Sequence, residues 1–170
     1  MRHRRRRAAA APRLISFVGE SGAGKTTLIT MLIRELTGRG LRVGAVKHSR
    51  AGFTLDPRSK DSARFRKAGA RAVLLISPTS LGLISDHRGK FSPAGAAAMF
   101  FKDMNVVLVE GWKESSLPKV FVSGTRTLPH GIKNIVAEIG KRGTVPNVPL
   151  FSPADIAALA DFIVSLSPLS

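Results

Sequence analysis

The 170-residue chain is predicted to form an α/β fold, a mainly parallel sheet flanked by helices on both faces with a possible β-hairpin extension. Three observations predict it. Apolar runs of strand length alternate with segments whose apolar residues recur at helical spacing, the pattern of βα units. The run VVLVEG at 106–111 is apolar at successive positions, as a strand buried on both faces requires. A glycine-rich segment joins the first apolar run to the first helical one, and an open parallel sheet binds its ligand beyond such strand ends.

Each element follows in order. LISFV at 14–18 reads as the first strand. Leu28, Ile29, Leu32, Ile33 and Leu36 then share one helical face, and Gly38 or Gly40 stops the helix. LRVGAV at 41–46 is the second strand, followed by a polar loop and a short helix near 60–68 closed by Gly69. RAVLLI at 71–76 is the third strand, with a hairpin or edge addition over 80–91. Ser92 as cap and Pro93 in the first turn open a helix through AGAAAMFF. After the strand at 106–111 come KVFV and NIVA as further strands, and Ser152-Pro153 opens a last helix reaching Ile163.

Composition sets the bounds. Hydrophobic residues are 44% of the chain against 22% charged, enough for a substantial core and one domain over 14–170. The absence of cysteine excludes disulfides, a thiolate zinc site and a cysteine nucleophile, and fits a reducing cytoplasm. The net charge of +16 is partly local, with Arg2, Arg4, Arg5, Arg6, Arg7 and Arg13 ahead of the first strand, so residues 1–13 read as a disordered basic arm. Its four alanines are too short for a secretory core, and no apolar run has the roughly 18 residues of a membrane span. Such a charge attracts anions, whether nucleotide phosphates, nucleic acid or an acidic protein. With 6% aromatic residues and no tyrosine, no stacking platform for nucleic acid is visible.

Gly19-Glu20-Ser21-Gly22-Ala23-Gly24-Lys25-Thr26 matches the phosphate-loop pattern G-x-x-x-x-G-K-[ST] in full, and Thr27 follows it into the helix. Glycines let successive N–H groups turn inward into a concavity for anions at the positive end of the next helix. Lys25 would reach the outer phosphates and the Thr26 hydroxyl would hold Mg²⁺, so a P-loop nucleoside-triphosphate-binding fold is expected.

The strand-end rule brings further groups to this loop. Glu110, ending the long strand, is the acidic candidate near Mg²⁺, acting through a metal-bound water or by orienting an attacking one. A strand-end glutamate satisfied by an amide or a lysine explains the same letter. Lys47 and His48 end the second strand and suit phosphate or substrate, or simply a solvated loop; His48 has no second ligand at transition-metal spacing. In FTLDPRSKDSARFRKAGA, Asp56, Lys60, Asp61, Ser62 and Arg64 gather both signs of charge beside a helix start. That suits an anion with a metal, and equally ordinary capping and surface pairing. Trp112 is read by default as packing or interface.

GESGAGKTTL, VGAVKHS, DPRSKDSARFRKAGA and VVLVEGWKESSLPKVFV, in this order, resemble the molybdopterin-guanine dinucleotide biosynthesis adapter (MobB) family over roughly residues 14–122. The tail VPLFSPADIAALADFI looks like that family's closing strand and helix. The resemblance implies a dimeric GTP-binding protein with weak GTPase activity that uses Mg²⁺. It would assist the MobA-type guanylyltransferase that attaches GMP to molybdopterin. It implies that Gly22, Gly24, Lys25, Thr26 and Thr27 cradle phosphates, that Glu110 lies near the metal, and that Lys47, His48, Asp56, Lys60, Asp61, Ser62 and Arg64 form a second characteristic region for Mg²⁺, nucleotide or pterin phosphate. Within that region Asp56 joins Thr26 and Glu110 as a metal candidate. Ser59 and Trp112 depart from the family's frequent glycine and phenylalanine. GTP over ATP rests on the resemblance alone, since no Asn-Lys-x-Asp element exists.

Two other readings compete. A small-molecule kinase on the same fold would need Asp56 or Asp61 as base for an acceptor hydroxyl. A nucleic-acid-binding protein would use the +16 charge, and its binding would fall steeply with salt. A metal-delivery GTPase is disfavoured by the lack of cysteine and of clustered histidines.

Overall fold

The computed structural model describes residues 11–49, 61–86, 92–124 and 130–168. Its elements in chain order are β1 (Arg13–Val18), α1 (Lys25–Gly38), β2 (Val43–Lys47), α2 (Asp61–Lys67), β3 (Ala72–Ile76), β4 (Leu81–Ser85), α3 (Pro93–Phe100), β5 (Val106–Glu110), β6 (Lys119–Val122), β7 (Ile135–Ile139), β8 (Leu150–Phe151) and α4 (Ile156–Ser165). They fall into two compact units, Met1–His48 with Ser92–Ser170, and Ser49–Phe91.

The larger unit is built on a six-stranded sheet in the order β2-β5-β1-β6-β7-β8, with every pairing parallel. Successive residues of β1 face opposite sides, as a pleated strand dictates. Ile15 and Phe17 pack with Leu28, Leu32 and Leu36 of α1 and Leu159 and Ile163 of α4. Leu14 joins Val107 and Val109 of β5 and Ala97 of α3 on the other face. Both faces are therefore covered, which is why VVLVE is apolar without alternation. Phe17, Leu32, Leu108 and Leu159 are wholly buried, each worth about 1.5–3 kcal/mol of transfer free energy.

The order of strands reverses direction at β1: the chain fills the β5 and β2 side first, then crosses to β6 and β7. Ligand crevices form at the carboxyl ends of strands at such a switch point, and the glycine loop leaves β1 there. Asp103 lies in the turn before β5, at the end of that strand opposite Glu110.

Three expectations change. The third strand is not part of the parallel sheet: among the described residues β3 pairs with β4 alone, antiparallel from Ala72↔Ser85 to Ile76↔Leu81, and so forms the expected hairpin extension. A short continuous apolar run is compatible with either partner, so the sequence alone does not choose. The last helix begins at Ile156 and not at Pro153, because Asp155 takes the cap and accepts the Ala158 N–H at 3.3 Å. Ser152 instead closes the turn before it, its carbonyl accepting the Asp155 N–H. Arg13, counted with the basic arm, is already the first residue of β1, and its Nε donates to the Leu166 carbonyl at 2.8 Å. Residues 1–10 of the arm lie outside the described residues.

Candidate functional site

Between the end of β1 and the start of α1 the chain turns through Gly22 and Gly24 at φ 81° and 85°, conformations that favour glycine. Gly24 is the N-cap of α1, which carries no side-chain cap and no acidic residue in its first turn. The other cap-bearing helices differ: Ser92 caps α3 by accepting the Gly95 N–H at 3.0 Å, and Asp155 caps α4. The positive end of α1 is thus the one among these helix starts with no side-chain cap. Glu20 and Ser21 form the outer part of the turn, and the Ala23 N–H is spent on the Glu20 carbonyl at 3.3 Å.

Lys25, in the first turn of α1, curls back over the loop and donates to the carbonyls of Gly19, at 3.3 Å, and Glu20. Burial pushes its ammonium below the ordinary lysine range; Glu110 opposes this, and the charges of Lys113 and Lys47 add to it. Lys47 and Lys113 thus add positive charge around Lys25, a field that an added polyanion would relieve.

Glu110 sits where the strand-end rule places it. Its Oε2 accepts the Thr26 hydroxyl at 2.9 Å, and its Oε1 lies 3.6 Å from Lys47 Nζ, the two residues being in register across β5 and β2. The His48 N–H donates to the Glu110 carbonyl at 3.0 Å. The His48 ring stacks on Trp112, with centroids 5.1 Å apart and planes 7° from parallel. Trp112 takes a left-handed φ of 61°, directly after Gly111 at 89°. The Gly111 N–H is held by the Phe17 carbonyl, and its own carbonyl accepts the buried Ser16 hydroxyl. A bulky residue in that conformation costs on the order of 1–3 kcal/mol and persists where its surroundings over-determine it.

These donors fit Mg²⁺. Thr26 and Glu110 offer hard oxygens from adjacent strand and helix ends. Among the described residues no group of three or more His, Cys, Asp or Glu could form an all-protein cage. A cation here would complete its shell with phosphate oxygens and water, as magnesium does in nucleotide sites.

Ala23, Gly24, Thr27, Leu28 and Met31 also form one wall of a slot of about 410 Å³. Its other walls are Val122 and Gly124 after β6, Ile139, Gly140 and Lys141 at the end of β7, and Pro153. Sequence reasoning missed this side. It also missed Glu138, the one carboxylate in the apolar strand NIVAEIG, which is wholly buried. Burial alone would raise its pKa; hydrogen bonds from the Thr144 and Val145 amides and the Thr144 hydroxyl outweigh that and hold it below the ordinary glutamate range. A charged letter interrupting a strand buried on both faces was the available signal. Lys119, wholly buried in β6 with its Nζ on the carbonyls of Ser115 and Leu117, carried the same signal.

Of the second expected group, Lys47 and His48 stand at the end of β2 beside Glu110. Asp56 and Lys60 lie outside the described residues. Asp61, Ser62 and Arg64 fall in the smaller unit on α2, where Arg64 pairs with Asp61 at 3.4 Å in an exposed contact and Ser62 is buried.

Comparison with known proteins identifies the family. The model of the family described as molybdopterin guanine dinucleotide synthesis protein B matches residues 14–139. A molybdopterin-guanine dinucleotide biosynthesis adapter protein of Haemophilus influenzae is 32% identical over 154 residues, 88% of this chain and 86% of that protein. The Escherichia coli protein of the same name is 31% identical, covering 89% and 91%. Among solved structures, one of molybdopterin-guanine biosynthesis protein B superposes with a TM-score of 0.66 at 27% identity, covering 89% of this chain and 97% of that one. The MobB homolog of Bacillus stearothermophilus gives 0.66 at 25% identity, covering 90% and 99%. With a family model spanning β1 to β7, relatives above 30% identity over most of both chains, and the mostly parallel sheet those structures share, the chain belongs to the MobB family.

Proposed function

We propose that this protein is a GTP-binding adapter in molybdopterin guanine dinucleotide biosynthesis, working with the MobA-type guanylyltransferase that converts molybdopterin to its guanine dinucleotide. The observation that carries the reading is the Thr26–Glu110 contact at the mouth of an uncapped glycine loop, in a chain of this family. The loop amides, Lys25 and Thr27 hold the triphosphate; Thr26 and Glu110 hold Mg²⁺, with Asp56 as a third metal candidate. Mg²⁺ supplies charge neutralisation of the phosphates. Lys47, His48, Lys60, Asp61, Ser62 and Arg64 remain candidates for a second anion such as the pterin phosphate.

Hydrolysis is weak in this reading. The cations acting on Lys25 are Lys47 and Lys113, and a lysine point charge stabilises bound phosphate without the bidentate grip of an arginine finger. A homodimer is favoured by the exposed apolar surface of the smaller unit, where Leu74, Ile76, Leu81 and Phe65 are all more than half exposed in the single chain. No helix among the described residues is long and apolar enough to cross a membrane, in keeping with work in the cytoplasm.

Titration calorimetry with GTP and ATP in the presence of Mg²⁺ tests this. GTP should bind at least about tenfold tighter, a difference of about 1.4 kcal/mol. Equal affinities would sink the guanine assignment.

A second test uses Trp112, the only tryptophan in a chain without tyrosine. Glu110 leads through Gly111 into the stacked ring, so drawing its carboxylate from Thr26 toward a cation should disturb the stack. Tryptophan emission is expected to change with GTP and Mg²⁺ together and much less with GTP and a chelator. The same change without Mg²⁺ would remove Glu110 from the metal site.

A further inference from the structure

The connection from β5 to β6 is a short loop, 111–118, that leaves Glu110 at the mouth of the site and re-enters the sheet at Lys119. Trp112 stacks on His48, and Lys113 stands close enough for its charge to act on Lys25. No helix or strand shapes this stretch. Side chains do so instead: Lys119, wholly buried, sends its Nζ to the carbonyls of Ser115 at 2.5 Å and Leu117 at 3.0 Å, and Asn134, just before β7, donates its Nδ2 to the Ser116 carbonyl at 2.9 Å. Three successive carbonyls are thus gripped by two side chains.

Both ends of the loop are fixed as well. The Ser16 N–H donates to the Pro118 carbonyl at 2.9 Å and the Ser16 hydroxyl to that of Gly111, while the Ser115 N–H closes a turn on the Trp112 carbonyl at 3.1 Å. Leu117 is buried with Val107 and Val109 of β5. The grip therefore begins two residues beyond Lys113 and sets the base from which Trp112 and Lys113 project. Burial disfavours the charge on Lys119, and an apolar chain of similar size would serve stability alone as well or better. What the ammonium adds is a fixed path for the loop.

We propose that Lys119, itself buried beneath the loop, is the positioning residue for Lys113, and that Lys113 so held contacts a phosphate of the bound nucleotide beside Lys25. The inference rests on the nucleotide reading above. Asn134 assists by holding the carbonyl between the two that Lys119 takes.

The experiment is a double-mutant cycle read by calorimetry with GTP and Mg²⁺ on the full chain. Lys113→Ala should weaken binding by about tenfold, the loss of one charged contact. Lys119→Met should lose about as much, and the double variant no more than about threefold beyond either single one, because the same contact can be lost only once. Emission from Trp112, the only tryptophan, should also shift in unliganded Lys119→Met, since the loop carrying the ring is released. Should Lys119→Met fail to fold, Asn134→Gly decides: it suits the left-handed backbone at φ 59° and removes only the grip on Ser116. It should cost more than about threefold beside Lys113 and nothing further in the Lys113→Ala background. Additive losses, an unshifted Trp112 emission, or Lys119→Met binding GTP within about threefold of the unmodified protein whatever its melting temperature, overturns the positioning role. Lys113→Ala binding within about threefold overturns the phosphate contact, and in each of these cases the glycine loop still stands as the nucleotide site. Failure of the unmodified protein to bind GTP overturns the nucleotide reading and this inference with it.

Discussion

Lys25→Ala is expected to weaken Mg–GTP binding by at least about 100-fold while leaving the unfolding transition almost unmoved. Hydrogen bonds between a charged group and its partner contribute about 1.5–3 kcal/mol each, and each 1.4 kcal/mol is tenfold in affinity, so two phosphate contacts account for the loss. The fold should not suffer, because the ammonium bonds only to the carbonyls of its own loop, which water can satisfy. Removing it also relieves a crowded field, since burial and the nearby Lys47 and Lys113 already disfavour its charge. Those two lysines remain, so encounter with the anion is still steered and the loss should appear mostly in the dissociation rate. Stopped-flow titration of the variant checks this. Affinity within about threefold of the unmodified protein, at which a lost charged contact is undetectable, would place the phosphates elsewhere.

How much was legible beforehand follows from the range over which each signal acts. The glycine loop is a local pattern whose spacing predicts a tight turn, and Gly22 and Gly24 do take left-handed φ values just ahead of α1. Glu110 and Lys47 were placed by counting strand ends, and parallel register does bring them side by side. Strand order is a different matter. Nothing within RAVLLI says whether it joins a parallel sheet or folds on its neighbour, because pairing is decided by residues far along the chain. The slot was illegible for the same reason, as it draws single residues from α1 and from the ends of β6 and β7. The helix cap failed on a near tie, since Ser152 and Asp155 are both good caps three residues apart and only the path of the preceding turn selects between them.

Gly19→Ala should be the most damaging small substitution in the loop, and for a reason separate from charge. A Cβ on Gly19 would stand 2.4 Å from the Val122 carbonyl oxygen, closer than real Cβ contacts come, at a φ of +156° that side chains rarely adopt. Val122 cannot retreat, because β6 is held between β1, through Val18↔Phe121, and β7, through Val122↔Ile139. The loop must move instead, and with it the turn that leads into α1. Overpacking costs about 1–3 kcal/mol and the dihedral a comparable amount. For a chain of this size each kcal/mol lowers the melting temperature by about 2–4 °C, so a fall of several degrees is expected together with loss of GTP binding. Gly22→Ala is the matched control, with φ +81° but nothing within 4 Å of its Cβ. It carries the strain without the clash and should melt closer to the unmodified protein. If the two variants melt alike in calorimetric scans, the dihedral alone governs; if Gly19→Ala is as stable as the unmodified protein and binds GTP, contact with β6 does not aim the loop.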